Sequence, residues 1–308
     1  MSADCTTDAL GGGRVIAVLG ATGRVGSHVA TGLAERGIEA RALTRQVNAD
    51  LPIPAVHADL DTPETLRTAL DGVEQLLLLT LHGPRQESQE AAVIDAAVTA
   101  GVARIVKISG SAPSLGPNGP TPTAVAHWRG EQRIERSGLQ FAFLRPSFYM
   151  QNLLDTVAPT VAATGLLAAP FGNAPIAMVD IRDVAACAVA ALLADTATSG
   201  AWQLTGPRPV TFPMIAEHVG ARHLKVPVKV AMAAMRRRGL PAFEVEHAAR
   251  MTSYFAAGSD GVATDHVLRL TGRPPRSIET FLDEHHDAFS PATTLARILS
   301  HHTTKEQR

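Results

Sequence analysis

The stretch RVIAVLGATGRVGSHVATGLAERG, residues 14–37, decides the fold of this chain. An apolar run, VIAVL, precedes three glycines at spacing three, and Val25, Val29 and Leu33 then recur at helical spacing. This order predicts a strand, a tight turn and a helix whose apolar stripe faces a core. Such a unit holds the pyrophosphate of a dinucleotide against the N-terminus of its helix.

Each glycine of the turn GATGRVG has a predicted role. Gly20 permits the tight turn from strand to helix, Gly23 lets the backbone approach a pyrophosphate, and Gly26 allows the helix to pack closely on the sheet. The alternative is a tight turn that holds no ligand. The predicted phosphate-binding set comprises Gly20, Thr22, Gly23, Arg24, Val25 and Gly26.

Short apolar strands and helices continue to alternate along the first half of the chain. The predicted strands are 15–19, 38–43, 55–60, 75–81 and 104–109, and the predicted helices between them are 24–36, 63–72 and 86–100. Repeated units of this kind form a parallel, doubly wound sheet with right-handed crossovers. The predicted fold class is therefore α/β, a Rossmann-type sheet with a smaller, mostly helical C-terminal substrate lobe.

The regular alternation loosens after residue 145, which indicates a change in organisation. We expect an NADP-binding Rossmann core over 14–150 and a substrate-binding lobe over 151–289, with room for strands of the lobe to return to the main sheet. Polar termini predict flexible tails at 1–13 and 290–308.

The composition gives no support for several classes of partner and site. Of the 308 residues, 45% are hydrophobic and 19% are charged, and the net charge of -1 gives no overall attraction to nucleic acid or to an anionic membrane. The apolar run LLLLTL at 76–81 is too short to span a bilayer. The chain has only two cysteines, so we expect no disulfide framework, which fits a reducing cytoplasm. The histidines are poorly spaced for binding one metal ion, so we expect no metal site.

The end of the second predicted strand indicates which nicotinamide cofactor binds. NAD-preferring sites usually place an acidic residue there, whereas this chain has Thr44 and Arg45. Arg45 can bind a 2′-phosphate, with Arg24 as a second cation, so we expect NADP(H). The alternative for Arg45 is a solvated surface charge. Asp59 either accepts a hydrogen bond from the adenine amino group or caps the next helix.

Several motifs together resemble the NmrA-like group of atypical short-chain dehydrogenases/reductases. They are GATGRVG at 20–26, ALTR at 42–45, ADL at 58–60, KISGS at 107–111, HWRGEQRIERSGLQFAFLRPSFYMQNLL at 127–154, VDIRDVA at 179–185 and LTGP at 204–207. The resemblance implies an NADPH-binding core and a small lobe over a cleft. Further cofactor contacts are predicted at Thr44, Asp59, Leu60, Thr80, Ser109 and Pro146, and the alternative for Ser109 is a turn residue. The resemblance also implies either reduction of quinones, azo compounds or related aromatics, or redox sensing without catalysis.

The chain departs from the catalytic pattern of standard members, which carry a YxxxK pair. Counting back from Glu131, the glutamate that follows this pair, places His127 at the lysine position and Thr123 at the tyrosine position. The only tyrosines are Tyr149 and Tyr254, and neither begins a YxxxK. Because a threonine hydroxyl is a much weaker acid than an activated tyrosine, ordinary epimerase, dehydratase and alcohol dehydrogenase chemistry is disfavoured.

His127 and Thr123 are therefore the predicted catalytic residues. His127 can donate a proton or bind a developing oxyanion, and the alternative is a histidine satisfied by the cofactor ribose or by its own helix. Quinone reduction needs less help from an acid, since hydride addition yields a stabilised hydroquinone anion.

The predicted substrate pocket lies beyond the strand ends, where α/β sheets bind ligands. Phe148 and Tyr149 either wall a flat substrate or belong to the core, while Phe141 and Phe143 are expected in the core. Polar pocket residues are predicted at Ser111, Gln151 and Asn152, with a turn or a helix start as the alternative.

The sequence thus predicts a cytoplasmic, NADPH-dependent reductase of a quinone or related flat aromatic carbonyl compound, in a setting such as secondary metabolism. The alternatives are a non-catalytic NADP-sensing regulator and an enzyme that uses the cofactor for coupling or stereochemical control of a polyketide. The expected partner is a small aromatic substrate, a homodimer is compatible with these features, and neither nucleic acid nor membrane is expected.

We predict that the protein binds NADPH more tightly than NADH and that Arg45→Ala removes most of this preference. A charge-assisted contact of roughly 1.5–3 kcal/mol corresponds to about a tenfold to hundredfold change in Kd. Equilibrium titration of both proteins with both cofactors measures it. Equal dissociation constants for NADPH and NADH in the unmutated protein would refute the assignment.

Overall fold

A computed structural model describes residues 15–194 and 199–291. Apart from residues 290 and 291, the predicted tails lie outside these ranges. Within them, seven parallel strands form the main sheet in the order β3-β2-β1-β4-β5-β6-β8, and β7 pairs with β9 in a separate parallel pair. The strands are β1 (Ile16–Leu19), β2 (Ala40–Thr44), β3 (Ala55–His57), β4 (Gln75–Leu78), β5 (Arg104–Ile108), β6 (Gln140–Pro146), β7 (Leu166–Ala169), β8 (Gly200–Leu204) and β9 (Arg222–Lys225).

This strand order confirms the predicted Rossmann-type fold, because the chain reverses its direction of travel across the sheet between β1 and β4. The helices are α1 (Arg24–Ala34), α2 (Pro63–Ala69), α3 (Gln86–Thr99), α4 (Pro122–Ser137), α5 (Asn152–Thr156), α6 (Ala158–Thr164), α7 (Ile181–Leu193), α8 (Phe212–His218), α9 (Val228–Arg237), α10 (Ala242–Ala256), α11 (His266–Thr271), α12 (Ile278–Glu284) and α13 (His286–Phe289).

Two hydrophobic cores cover the faces of the main sheet. On one face the apolar stripe of α1, with Val29 and Leu33, packs with Val184 and Leu192 of α7. On the other face α2, α3 and α4 pack against the sheet. Because helices cover both faces, the inner strands are buried without alternation, as the wholly buried β4 shows.

Two predicted strands are longer in the sequence analysis than in the structure. The strand β4 ends at Leu78, and Leu81 in the following loop is 85% exposed. The strand β3 ends at His57, because the Thr65 hydroxyl donates to the carbonyl of Asp59 and holds the chain in a turn that leads into α2. Each prediction extended the carboxyl end of its strand by three residues, since apolar residues continue into the following loop.

The C-terminal lobe has a core of its own, built from α6, α8, α10, α12 and β7. Aromatic side chains dominate it: Phe171 stacks on Phe212 with ring centroids 4.4 Å apart, and Phe281 is fully buried. Between its parts the chain returns to the main sheet, where β8 pairs with β6 and α7 packs on α1.

None of the described helices is both long and apolar enough to cross a lipid bilayer.

We expect Phe281→Ala to lower the free energy of unfolding by about 3–5 kcal/mol, because it leaves a cavity in the lobe core. Val262→Ala is the control, since this side chain is 76% exposed and its truncation should change stability by less than about 0.5 kcal/mol. Denaturant unfolding of both variants measures the difference. Similar stabilities of the two variants would contradict the packing described for α12.

Candidate active site

The predicted site residues gather at the carboxyl edge of the main sheet. Gly20 follows β1, Thr80 lies beyond β4, Ser109 follows β5, and Pro146 ends β6. These strands flank the point where the strand order reverses, and open α/β sheets bind ligands in the crevice outside this edge.

The glycine turn is shaped by two close backbone approaches. Gly20 has a positive φ of 82°, and a Cβ on it would lie 2.7 Å from the carbonyl oxygen of Leu79. A Cβ on Gly26 would overlap the carbonyl oxygen of Gly20. Gly26 therefore brings α1 close to the turn itself, whereas the sequence analysis expected its close contact to be with the sheet.

Gly23 differs from the other two glycines. Its backbone is extended, and the nearest atom to an added Cβ is the Gly20 carbonyl oxygen at 3.3 Å. Packing within the protein therefore accounts for the need for glycine at Gly20 and Gly26, but less well at Gly23. Gly23 is also the N-cap of α1 and provides no side-chain cap, so the helix N-terminus remains open to an anion.

The cations predicted to bind a 2′-phosphate lie at the surface beside this turn. Arg24 donates to Asp155 of α5 across 2.6 Å, so a phosphate would compete with this exposed ion pair. Arg45 is exposed just beyond β2, and its charge helps to lower the pKa of Asp61, after the larger effects of Gln89 and Arg85.

Other predicted cofactor contacts also have partners within the protein. The Thr44 hydroxyl accepts from the amide of Gln46 at 3.0 Å. The Asp59 carboxylate accepts from the amide of Asp61 at 3.1 Å, in the turn before α2, whose N-cap is Thr62. Val25 is buried in the core, Leu60 is partly buried and Thr22 is exposed.

A buried ion pair lies beneath this edge of the sheet. Lys107 of β5 donates from Nζ to Glu90 Oε1 of α3 across 2.7 Å, and both side chains have at most 1% exposure. Thr80 donates to the same oxygen at 2.8 Å, and Gln86 lies 3.2 Å from it. Sequence reasoning missed Lys107 and Glu90, although a lysine inside the apolar strand RIVKIS is the kind of signal that marks a buried charge.

His127 extends this network toward the cleft. Its Nδ1 lies 3.2 Å from Lys107 Nζ and 3.5 Å from Glu90 Oε1, and 14% of its side chain is exposed. Burial lowers the pKa of His127, and the charge of Lys107 lowers it further, against opposing effects of Glu90 and Glu131. The neutral imidazole is therefore the favoured form at pH 7.

Two buried hydroxyls near His127 lack hydrogen-bond partners among the described residues. They are Ser109 Oγ, just after β5, and Thr123 Oγ1, one helical turn before His127 on α4. Buried hydroxyls without partners are uncommon in folded proteins, and these two are available to hydrogen-bond a ligand at this edge. Together with the open N-terminus of α1, they fit a bound dinucleotide.

The residues predicted for the substrate pocket divide into two groups. Gln151 is committed to the fold, because its amide donates to Asp180 at 2.9 Å and accepts from the Ile181 amide at 3.1 Å, at the start of α7. These hydrogen bonds favour the alternative of a structural role at a helix start, and the contact of Gln151 with substrate stays a prediction. Asn152 begins α5.

Phe148 and Tyr149 are both partly buried. Phe148 meets Phe255 edge-on at 5.3 Å, against the lobe core, and Tyr149 packs on the core of the main sheet. Burial raises the pKa of Tyr149, so its hydroxyl stays protonated.

Ser111 joins the lobe to the sheet edge. It donates to Asp260 across 2.7 Å, Ser147 donates to the other carboxylate oxygen across 2.6 Å, and Gln203 donates to Ser111 at 3.1 Å. Burial raises the pKa of Asp260, while the two serine hydroxyls oppose the shift. The Ser111 hydroxyl is thus engaged in holding the lobe.

The helix α10 lies against the loop after β4. Glu244 of α10 and His82 of the loop are joined across 2.7 Å, and the His82 ring stacks on His247 at 5.0 Å and on Phe243 at 6.3 Å. Burial, His82 and His127 all lower the pKa of His247, against the effect of Glu244. No local sequence signal could have joined residues more than 160 positions apart.

Comparison with known proteins identifies the family to which the chain belongs. Residues 13–222 match the model of the NmrA-like family. The chain belongs to the NmrA-like family. It is 33% identical to an NAD(P)H azoreductase from Xenophilus azovorans, over 90% of this chain and 100% of that protein. It is 32% identical to a (4-alkanoyl-5-oxo-2,5-dihydrofuran-3-yl)methyl phosphate reductase from Streptomyces griseus, with the same coverage.

A solved structure shares the fold of this NmrA-like protein. It is an NADPH-dependent quinone oxidoreductase from Escherichia coli complexed with NADPH, with a TM-score of 0.78 and 24% identity over 87% of this chain and 99% of that one. The resemblance stated from the motifs, and the fold that it implied, are confirmed.

In residues 15–194 and 199–291 of this NmrA-like protein, no three His, Cys, Asp or Glu side chains form a group that could hold a metal ion. Cys187 is buried in α7, and burial raises the pKa of its thiol to about 12, with Asp183 adding to the shift.

We predict that Gly23→Val keeps the fold but abolishes NADPH binding, because the branched side chain would occupy the space that a pyrophosphate needs. Gly26→Ala is the contrasting variant, since its Cβ would overlap the Gly20 carbonyl and should lower the Tm. Thermal unfolding and NADPH titration separate the two effects. A folded Gly23→Val protein that binds NADPH at full strength would disprove the phosphate turn.

Proposed function

We propose that this protein reduces a quinone or a related flat aromatic carbonyl compound with NADPH, and that His127 delivers the proton. The broader class is established: the chain is an NAD(P)H-dependent oxidoreductase of the NmrA-like family. The names of the azoreductase and of the quinone oxidoreductase support an aromatic acceptor.

One observation carries the proposal: a partly exposed imidazole lies at the sheet edge with its Nδ1 against a buried ammonium group. Redox sensing alone requires cofactor binding but has no use for a connected set of proton donors. His127 and Lys107, the latter held by the carboxylate of Glu90, provide such a set in a family member that lacks the tyrosine–lysine pair.

The residues divide the work between binding and proton delivery. NADPH, when bound, would supply the hydride, as this cofactor does in other reductases. The turn from Gly20 to Gly26 would hold the pyrophosphate, Arg45 the 2′-phosphate, and the free hydroxyls of Ser109 and Thr123 the parts of the ligand near His127.

The neighbouring rings favour a flat substrate. Phe243 and His247 of α10 stack with His82 in nearly parallel planes, at 22° and 23°. Faces of this kind bind aromatic ligands by offset stacking. His127 would then meet the substrate oxygen that gains negative charge, and α10 would keep bulk water away from it.

His127→Ala should lower the rate of substrate reduction by about a hundredfold to ten-thousandfold, the usual range for a general acid. His127→Gln should lose nearly as much, because an amide donates a hydrogen bond but does not release its proton. NADPH affinity should change little in both. Single-turnover kinetics at saturating NADPH, with a soluble benzoquinone or naphthoquinone, measure the effect.

His218→Gln is the matched control, because His218 pairs with Asp283 at the surface of the lobe, and its rate should be unchanged. If the His127 variants instead bind NADPH weakly and regain their rate at saturating cofactor, His127 binds the ribose and is not the proton donor.

A further inference from the structure

The environment of His127 raises a difficulty for its role as a donor. The neutral imidazole is favoured at pH 7, since burial and the Lys107 charge both disfavour the imidazolium. A neutral imidazole that loses its remaining proton becomes an imidazolate, which is a strongly basic anion. The neutral form of His127 can therefore donate efficiently only if a second proton reaches its other nitrogen as the first one leaves.

The contacts of Nδ1 identify the source of that second proton. Lys107 Nζ lies 3.2 Å from Nδ1 and contacts this ring nitrogen alone, whereas Gln86 Nε2 is 3.2 Å from both nitrogens and selects neither. Glu90 Oε1, the acceptor that would favour a proton on Nδ1, is farther away at 3.5 Å. The nearer of these two charged partners is a donor, which favours the tautomer in which Nδ1 accepts and Nε2 carries the ring proton.

We propose that Lys107, held by Glu90, is the positioning residue and proton reserve of His127: it fixes the Nε2–H tautomer and passes a proton to Nδ1 as Nε2 donates to the substrate. This inference rests on the proposed function and deepens it. It assigns to a lysine on β5 the support that standard short-chain reductases obtain from the lysine of YxxxK.

The proton transfers balance without a further reactant. Bound NADPH would supply the hydride that leaves an electron pair on the substrate oxygen, and the His127 Nε2–H bond would break as the new O–H bond forms. The Lys107 Nζ–H bond breaks as Nδ1–H forms, so His127 stays neutral and Lys107 becomes a neutral amine beside Glu90. In the return step, a solvent proton enters at Nε2 while the Nδ1 proton goes back to Lys107.

The charges around His127 fit this role. Lys107 and Glu90 face it from β5 and α3, Glu131 lies on its own helix in an ion pair with Arg145 at 2.5 Å, and His247 faces it from α10. Although burial opposes charge on Glu90, Lys107 and His127 hold its pKa well below the usual range. Glu90 therefore remains ionised and keeps the ammonium group in place.

A variant that removes only one member of the pair would leave a buried charge unpaired and threaten folding. The test therefore uses Lys107→Met together with Glu90→Gln, which removes both charges at similar volume. The matched control is Asp95→Asn together with Arg133→Gln, which removes an exposed ion pair between α3, the helix of Glu90, and α4, the helix of His127.

The first readout is the tautomer of His127, observed by ¹⁵N NMR of histidine-labelled full-length protein with NADP⁺ bound and assigned with His127→Gln. We expect the neutral Nε2–H form at pH 7 in the unmutated protein and in the control. The double variant at Lys107 and Glu90 should populate the Nδ1–H form as well. An Nδ1–H tautomer in the unmutated protein would overturn the proposal.

The second readout is the single-turnover rate of quinone reduction at saturating NADPH, measured in H₂O and D₂O mixtures. The Lys107 and Glu90 double variant should be at least about tenfold slower, with unchanged NADPH affinity, and the unmutated protein should show a curved dependence on deuterium fraction, since two protons move. A double variant as fast as the unmutated protein would overturn the relay. The proposed function would still stand if His127→Ala remained slow, and it would fail if that variant kept its full rate.

Discussion

The buried ion pair between Lys107 and Glu90 is the constraint on which the candidate active site, at the carboxyl edge of the main sheet, depends. An ammonium group with no exposure needs a charged partner, since leaving either member alone in the interior costs several kcal/mol. Glu90 reaches Lys107 only if α3 lies across β5. Gly130 of α4 lies against the pair, where a Cβ would overlap Glu90 Oε2. The pair thereby fixes α3, β5 and α4 together, and His127, three residues before Gly130, is placed at the cleft.

Much of the fold could be predicted because short local patterns in the sequence determine its strands, helices and turns. Apolar strands, helical stripes and the glycine turn define the parallel sheet, and the turn geometry at Gly20 agrees with its predicted role. The strand ends could not be placed as well, since Leu81 is apolar but exposed in a loop. The local hydrophobic pattern does not show at which residue a strand stops pairing with its neighbours.

The site was predictable only in part. Motif position found His127, Thr80 and Ser109, but not that the first two meet in one network through Glu90. Gln151 was assigned to substrate because its neighbours suit a pocket, whereas its amide holds the start of α7. His82 and Glu244 come from distant parts of the chain, and only the packing of the lobe brings them together.

The central claim is that this family member turns over its cofactor. The most direct measurement is anaerobic mixing of the unmutated protein with NADPH and a panel of benzoquinones and naphthoquinones, with NADPH followed by absorbance and hydroquinone by chromatography. The account predicts catalytic consumption of NADPH with one hydroquinone formed per NADPH. Tight NADPH binding with no oxidation above the rate without protein, for every quinone tested, would contradict it and favour a sensor.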